Sequence, residues 1–513
     1  MPVSNNRDYR DKIRNREEIK EAIGPRPRDL KVIMCHGTFD IVHPGHVRHL
    51  TYARSKADIL IASLTCDAHI AKANYRPFVP EDLRAMNLAA FEMVDYVIID
   101  RDPVPLENLK HLEPDYFAKG YEYFDDGVHP RTKEEIEVLE AYGGEIIFTP
   151  GDIVYSSSRL IELEPPRIAA EKLHMLMESE EVSMDDLRST LDRFANLKVH
   201  VIGDTIVDSY VYCSLIGSGT KTPTLSVKQE EQVDFIGGAA IVAKHLKQAG
   251  AQVEFSSVMG DDGFKDHVIK DLRECGIDYH VSIDATRPTT QKTVFISQNH
   301  RMLKVDNLDN RPMASKYLTE LMEGIRSSTA DVFVFSDFRH GIFSRQSIPQ
   351  LTESIPQGRL RVADSQVASR WGNILDFQGF DLITPNEKEA RFALGDQDSV
   401  VRPLALELFR RAKCQYLMLK LGERGLFTYR AESGRAHINI DSFAQHVVDA
   451  VGAGDALLAY ATLALASTKS EVLASILGSM AAAIACESEG NNPVSPNEVV
   501  AKLQSIENQF QYT

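Results

Sequence analysis

Lys31–His46 reads KVIMCHGTFDIVHPGH, and the two halves of this stretch obey different rules. The apolar run Val32–Cys35 suits a strand buried on both faces of a parallel sheet. The second half turns into a helix. Gly37 lets the backbone approach a ligand closely, and Pro44-Gly45 bends the chain so that His43 and His46 meet at a helix N-terminus. In an open α/β sheet this point, beyond the carboxyl end of a strand, is where ligands sit. Two imidazoles beside a helix end suit the charge of a triphosphate better than a metal: no third ligand of matching spacing follows, and the HExxH pattern is absent.

Outward from this stretch, residues 58–64 (DILIASL), 95–100 (DYVIID), 115–120 (DYFAKG) and 144–150 (GEIIFTP) read as strands. Residues 47–55, 80–92 and 133–143 read as helices between them. The alternation predicts right-handed βαβ units over residues 30–164, preceded by a mixed-charge extension at 1–29. A Pro-Pro step then opens a carboxylate-rich helical linker, 165–196, expected to be a solvated connector. Alternation restarts with KVHVIGD at 198–204 and runs through strands near 253–260, 332–337, 359–365, 381–386 and 416–421, giving a second α/β domain over 197–506.

Late in that domain Asp449–Ala456 reads DAVGAGDA and leads into an apolar helix. Gly452, Ala453 and Gly454 free their amides to face a phosphate, and Asp455 follows within the first turn, placed to take a proton from an attacking hydroxyl. The same residues half-match a dinucleotide GxGxxG/A turn, but no acidic residue about 20 positions on completes it. Gly217–Thr222 lacks the GK[ST] order of a P-loop and reads as a loop.

The first set of residues resembles the HxGH nucleotidylyltransferases of the cytidylyltransferase-like branch, through His43-Pro44-Gly45-His46, Tyr75-Arg76-Pro77 with Arg84, Pro114-Asp115 with Ala118-Lys119-Gly120, and Tyr155–Leu160. The resemblance implies a Rossmann-like fold and a reaction in which a substrate phosphate attacks the α-phosphorus of ATP or CTP and releases pyrophosphate. It makes His43 and His46 catalytic. It gives nucleotide and phosphate binding to Gly37, Thr38, Phe39, Lys72, Arg76, Arg84, Lys119 and Ser156, Ser157 and Ser158, with Mg²⁺ bridging the phosphates.

The second set resembles the ribokinase-like (PfkB) sugar kinases, through Val201–Asp208, Gly237-Gly238-Ala239-Ala240, Gly260–Gly263, Thr384–Glu389, Lys420–Gly425 and the GAGD turn. That resemblance implies an α/β fold with a small β-lid and Asp455 as the base that activates a sugar hydroxyl toward ATP. Phosphate and nucleotide contacts would come from Lys420, Gly422, Gly425, Gly452, Ala453 and Gly454. Asn386 and Glu389 would organise Mg²⁺ through water with no direct protein ligand, K⁺ being a further candidate cation. The sugar would be bound by Asp204, Asp208, Gly237 and Gly238, turn chemistry being the alternative for the two aspartates.

Together the halves resemble bifunctional heptose-type sugar kinase/nucleotidylyltransferases, in inverted order. Phe338–Gly341 and Asp364–Gln366 depart from that family at sugar-side positions, where Arg339, His340, Lys292 and Lys304 are candidate replacement charges. The expected partners are a sugar or sugar phosphate, nucleoside triphosphates and a second copy of the chain. The alternative is a working transferase whose kinase-like half only binds ligand or oligomerises.

The full 513 residues allow two to four domains at roughly 100–200 residues each. Lys+Arg of 57 against Asp+Glu of 74 leaves a net charge of −17, against a nucleic-acid-coating role. Six scattered cysteines with no CxxC suit reduced thiols. The charged start has no apolar signal segment, and no apolar run reaches the ~20 residues a bilayer needs, so a cytoplasmic protein without membrane or nucleic-acid partners is expected.

Overall fold

A computed structural model describes residues 8–70, 77–120, 130–149, 169–218, 225–298, 300–366, 373–430 and 437–510. The chain divides into two compact units, Met1–Ile168 and Ala169–Thr513.

In the N-terminal unit, β1 (Val32–Gly37), β2 (Ile59–Thr65), β3 (Tyr96–Asp100), β4 (Tyr116–Gly120) and β5 (Glu145–Thr149) form one sheet in the order β3-β2-β1-β4-β5. Every pairing is parallel, and Cys35 of β1 stands between Ala62 and Ala118. The chain builds outward from β1 to β3, then crosses back to β4. The order therefore reverses between β1 and β4, which opens a crevice at their carboxyl ends. Residues 8–29 are more than an entrance segment. The helix Arg16–Ile23, closed by an Asn15–Glu18 capping box, buries Ile19 and Ile23 in one apolar cluster with Leu109 and Leu112. Arg26 and Arg28 flank Asp115, whose carboxylate accepts from Val32 N at 2.9 Å.

The C-terminal unit has a nine-stranded sheet in the order β10-β9-β6-β13-β14-β15-β16-β17-β18. Its strands are β6 (Lys198–Gly203), β9 (Gln252–Met259), β10 (Asp278–Ile283), β13 (Val332–Asp337), β14 (Leu360–Ser365), β15 (Leu382–Ile383), β16 (Tyr416–Lys420), β17 (Leu426–Arg430) and β18 (His437–Ile440). Pairing is parallel up to β16 and antiparallel beyond it. A four-stranded sheet, β12-β11-β7-β8, is built from β7 (Thr205–Ser218), β8 (Leu225–Gly238), β11 (Thr290–Ser297) and β12 (His300–Asn307). Only Asp204 separates β6 from β7, so this second sheet springs directly from the end of a central strand.

The expected solvated connector needs correction. The helices Ala169–Ser179 and Met184–Arg193 do turn Glu178, Asp185 and Asp186 to solvent, but their other faces bury Leu173, Leu176, Met177, Met184, Leu187 and Leu191 in the main apolar core. Arg430 bonds both Glu180 and Glu471, and Lys172 bonds Asp441 at 3.0 Å. Apolar spacing on one face of each helix demands burial whatever the charge of the other face.

Candidate active sites

In the N-terminal unit the helix Pro44–Arg54 begins at the mouth of the β1/β4 crevice, with His43 as its cap. His43 Nδ1 accepts from Gly45 N at 3.1 Å, and His46 Nδ1 accepts from His43 N at 3.4 Å. Both Nδ1 atoms therefore carry lone pairs, which puts the proton on Nε2 of each ring; the His46 ring is also bonded to the backbone of Ile41. The rings stack with centroids 4.0 Å apart, and a Cβ on residue 45 would come within 2.8 Å of the His43 ring, which is why glycine stands there. Burial, and then His43, press His46 down to about 4; burial, and then Arg48, lower His43 as well. Near neutral pH the pair presents two uncharged imidazoles beside a helix end. Phe39, at φ 47°, packs its ring 5.2 Å from that of His46.

Other expected residues of this site fall differently. Arg84 is fully buried; its guanidinium donates to the carbonyls of Val79, Thr38 and Thr65 and pairs with Asp67. With Asp40, which accepts from Phe78 N and Val79 N, it braces the loops around the crevice. Lys119 stands at the end of β4, paired with Glu135. Gly37 ends β1, in van der Waals reach of Phe39. Lys72, Arg76, Ser156, Ser157 and Ser158 lie outside the described residues.

In the C-terminal unit the helix Ala453–Thr468 starts from Gly452, whose φ of 82° is the left-handed conformation glycine adopts without strain. Asp455 lies buried in the first turn. Burial, then Asp364, push its carboxyl up to about 7, against the pull of Lys420 and Lys292. Lys420 Nζ donates to Asp364 Oδ1 at 2.8 Å, and a Cβ on Gly454 would sit 3.3 Å from that ammonium. Asp364 also accepts from Thr384 Oγ1 at 2.8 Å. Base, lysine and glycine turn are thus gathered at the carboxyl ends of β14 and β16.

Asp208, on β7, faces the same charges. Its carboxyl is raised by burial, against Lys292 and Lys304, and it accepts from Asn491 Nδ2 at 3.0 Å, with Gly237 packed directly against it. Asp204 accepts from the backbone amides of Phe338 and His340 at 3.1 Å and Ile342 at 3.4 Å, and so shapes the segment after β13. Arg339 is likewise engaged, by Asp337 and Asp376 at 2.8 Å each. Asn386 and Glu389 form a reciprocal capping box on the helix Glu387–Leu394. Gly422 and Gly425 bound the short turn after β16.

The model of the pfkB family carbohydrate kinases matches residues 196–498. The chain belongs to that family. A cytidylyltransferase-like model matches residues 34–163, which gives this pfkB protein a second, Rossmann-type unit with a parallel sheet. Among curated relatives, a "Bifunctional protein HldE" of Desulfatibacillum aliphaticivorans is 26% identical over 64% of this chain and 66% of its own length. Another, from Geobacter metallireducens, is 30% identical over 59% of this chain and 62% of its own. The chain thus spans somewhat less than two thirds of the length of these relatives. Phosphofructokinase-2 of Escherichia coli, solved with substrates and products, shares the fold at a TM-score of 0.52 and 18% identity, covering 61% of this chain and 100% of its own.

Sequence reasoning missed several members of the pfkB unit's site. Asn491 lies in a loop far along the chain, and only its bond to Asp208 reveals it. Asp449 accepts from Tyr210 Oη at 2.8 Å and Arg301 at 2.7 Å, both on the four-stranded sheet, and from Val451 N at 3.1 Å, so one carboxylate ties that sheet to the glycine turn. The position of Asp449 just ahead of GAGD was the one signal that pointed to it.

Proposed function

We propose that the C-terminal unit phosphorylates a heptose-like sugar or sugar phosphate from ATP, and that the N-terminal unit transfers a nucleotidyl group from ATP or CTP to a sugar 1-phosphate with release of pyrophosphate. One observation carries the reading: a buried carboxyl, held at about 7, in the first turn of a helix that starts from a left-handed glycine, with a lysine and a second carboxylate beside it. Asp455 in its ionised form takes the proton of the attacking sugar hydroxyl. The amides of Gly452, Ala453 and Gly454 steady the oxygens of the transferred phosphoryl group, and Lys420 offsets its charge. Asp208, with Gly237 and Gly238, orients the sugar. In the other unit the His43 and His46 imidazoles face the α-phosphate as charge builds there, and Gly37, Thr38, Phe39 and Lys119 line the approach.

No cluster of three His, Cys, Asp or Glu side chains that could cage a metal occurs among the described residues. Oxygen donors suit Mg²⁺, and Asn386 and Glu389, joined to each other in the capping box, would organise the ion through water. Such an ion supplies neutralisation of phosphate charge. K⁺ belongs to this reading as a separately varied cation.

A homodimer through the four-stranded sheet is part of the same reading, supported by Leu215, Ile216, Leu225, Leu303 and Val305, all exposed on its strands. So is a cytoplasmic setting. Among the described residues no helix is long and apolar enough to cross a membrane. The test is incubation with ATP, CTP, Mg²⁺ and a sugar panel, with ADP and pyrophosphate followed separately and the product weighed by mass spectrometry. Absence of ADP release across the panel would sink the kinase half, and absence of pyrophosphate the transferase half.

A further inference from the structure

Two side-chain acceptors of the C-terminal unit lack partners among the described residues although both are shut away from solvent. Asn491 is 7% exposed, and its Nδ2 donates to Asp208 Oδ2. A carboxylate only accepts, so that bond fixes the amide and turns Oδ1 the other way. Oδ1 has no hydrogen-bond partner and lies against Gly452, where a Cβ would come within 2.4 Å of it. His340, 5% exposed, is arranged alike: Nδ1 donates to Asn310 Oδ1 at 2.9 Å, which leaves Nε2 a buried lone pair without a partner.

A chain of contacts joins the two acceptors. Asp208 stands beside Asn491. Next to it is Lys292, its register neighbour on β11, with the ammonium 5.2 Å from the Phe338 ring centroid; Phe338 in turn stacks on His340 at 6.4 Å. Buried unpaired acceptors are rare in native proteins and are satisfied by whatever fills the space beside them. A hydroxyl has a hydrogen to give; a phosphate dianion has none. The nearby cations are matched as well: Lys292 neighbours both Asp208 and Asp306 across the strands, and Lys304 lies 3.7 Å from Asp306.

Resting on the kinase reading above, we propose that Asn491 Oδ1 and His340 Nε2 are specificity-determining acceptors that each receive a hydroxyl of the sugar. They thereby select an uncharged polyol over the same sugar already carrying a terminal phosphate.

The test uses the full chain with five- to seven-carbon aldoses and their terminal phosphates. ADP release is measured with the unaltered protein, and binding by calorimetry with the Asp455→Asn variant, in which turnover does not intervene. For the best-bound pair, the free sugar should exceed its phosphate at least about tenfold in both kcat/KM and affinity. Asn491→Leu should raise KM for the sugar about tenfold and leave KM for ATP unchanged. His340→Lys, which puts a cation where the lone pair was, should move the preference about tenfold toward the phosphate. A preference of the unaltered protein for the phosphorylated sugar overturns the proposal whatever the folding of the variants. So does an unchanged preference in both variants, or binding of neither sugar form. Selective binding of the free sugar without ADP release would overturn the kinase reading and leave the subsite in place.

Discussion

Asp455 works as a base only when ionised, and its carboxyl is held near 7 by burial and Asp364. ADP formation should therefore climb as pH rises through 7, about tenfold between about pH 6 and pH 8, and level off above. A pH profile of kcat for ADP release checks the sign; a flat profile would remove Asp455 from the base role. Asp455→Asn should lower ADP release by about 10²–10⁴-fold and spare pyrophosphate release. His46→Ala should do the reverse, by about 10²–10³-fold, since each imidazole is one of a small number of polar groups facing the developing charge. At this scale the sequence was readable where a residue type and its spacing define the chemistry, as in HxGH and GAGD. It was silent where one carboxylate or guanidinium also serves the backbone around it. Asp204 follows a strand as a sugar ligand would, and three backbone amides bond its oxygens. Arg84 sits where a phosphate contact was expected, and carbonyls and Asp67 bond its donors.

At the scale of elements, Arg84 acts as a tie between the loop after β1, the end of β2 and the segment before the helix Glu81–Ala89. Arg84→Met strands Asp67 and several carbonyls and should cost the N-terminal unit about 3 kcal/mol, read as a lowered melting transition with ADP release intact. The helices over 169–193 make a second case. A fragment starting at residue 196 would expose the core face that Leu173, Leu176, Leu187 and Leu191 cover. It should lose at least about 5 kcal/mol against one starting at residue 169, measured by denaturant unfolding. Equal stability of the two fragments would show these helices to be mere connectors. The parallel strands of both main sheets were visible as short apolar runs except β10, because burial on both faces imposes that pattern; β10, partly exposed, and the antiparallel β17 and β18 were not read. Nor were the strands β7, β8, β11 and β12. Their exposed faces carry apolar residues such as Leu225 and unbroken polar runs such as Lys228–Gln232 of β8, so no period marks them.

Across the whole molecule, the separate geometry of the two sites predicts separable chemistry. A chain carrying both Asp455→Asn and His46→Ala should lose both activities to the extent each single change predicts, as independent sites do. If either single variant halted both reactions, the division of labour between the units would fall. The −17 charge sets solubility and leaves these sites untouched, since each gathers its own local dipoles and cations. What the sequence determined by itself was local: strand-helix alternation, hence two α/β units, and the glycine and histidine turns at helix starts, whose chemistry depends on neighbours a few residues away. What only the tertiary structure decided was long-range. Asn491 meets Asp208 across 283 positions and Arg301 meets Asp449 across 148. Such pairings depend on which chain segments fold against one another, and no local spacing encodes them.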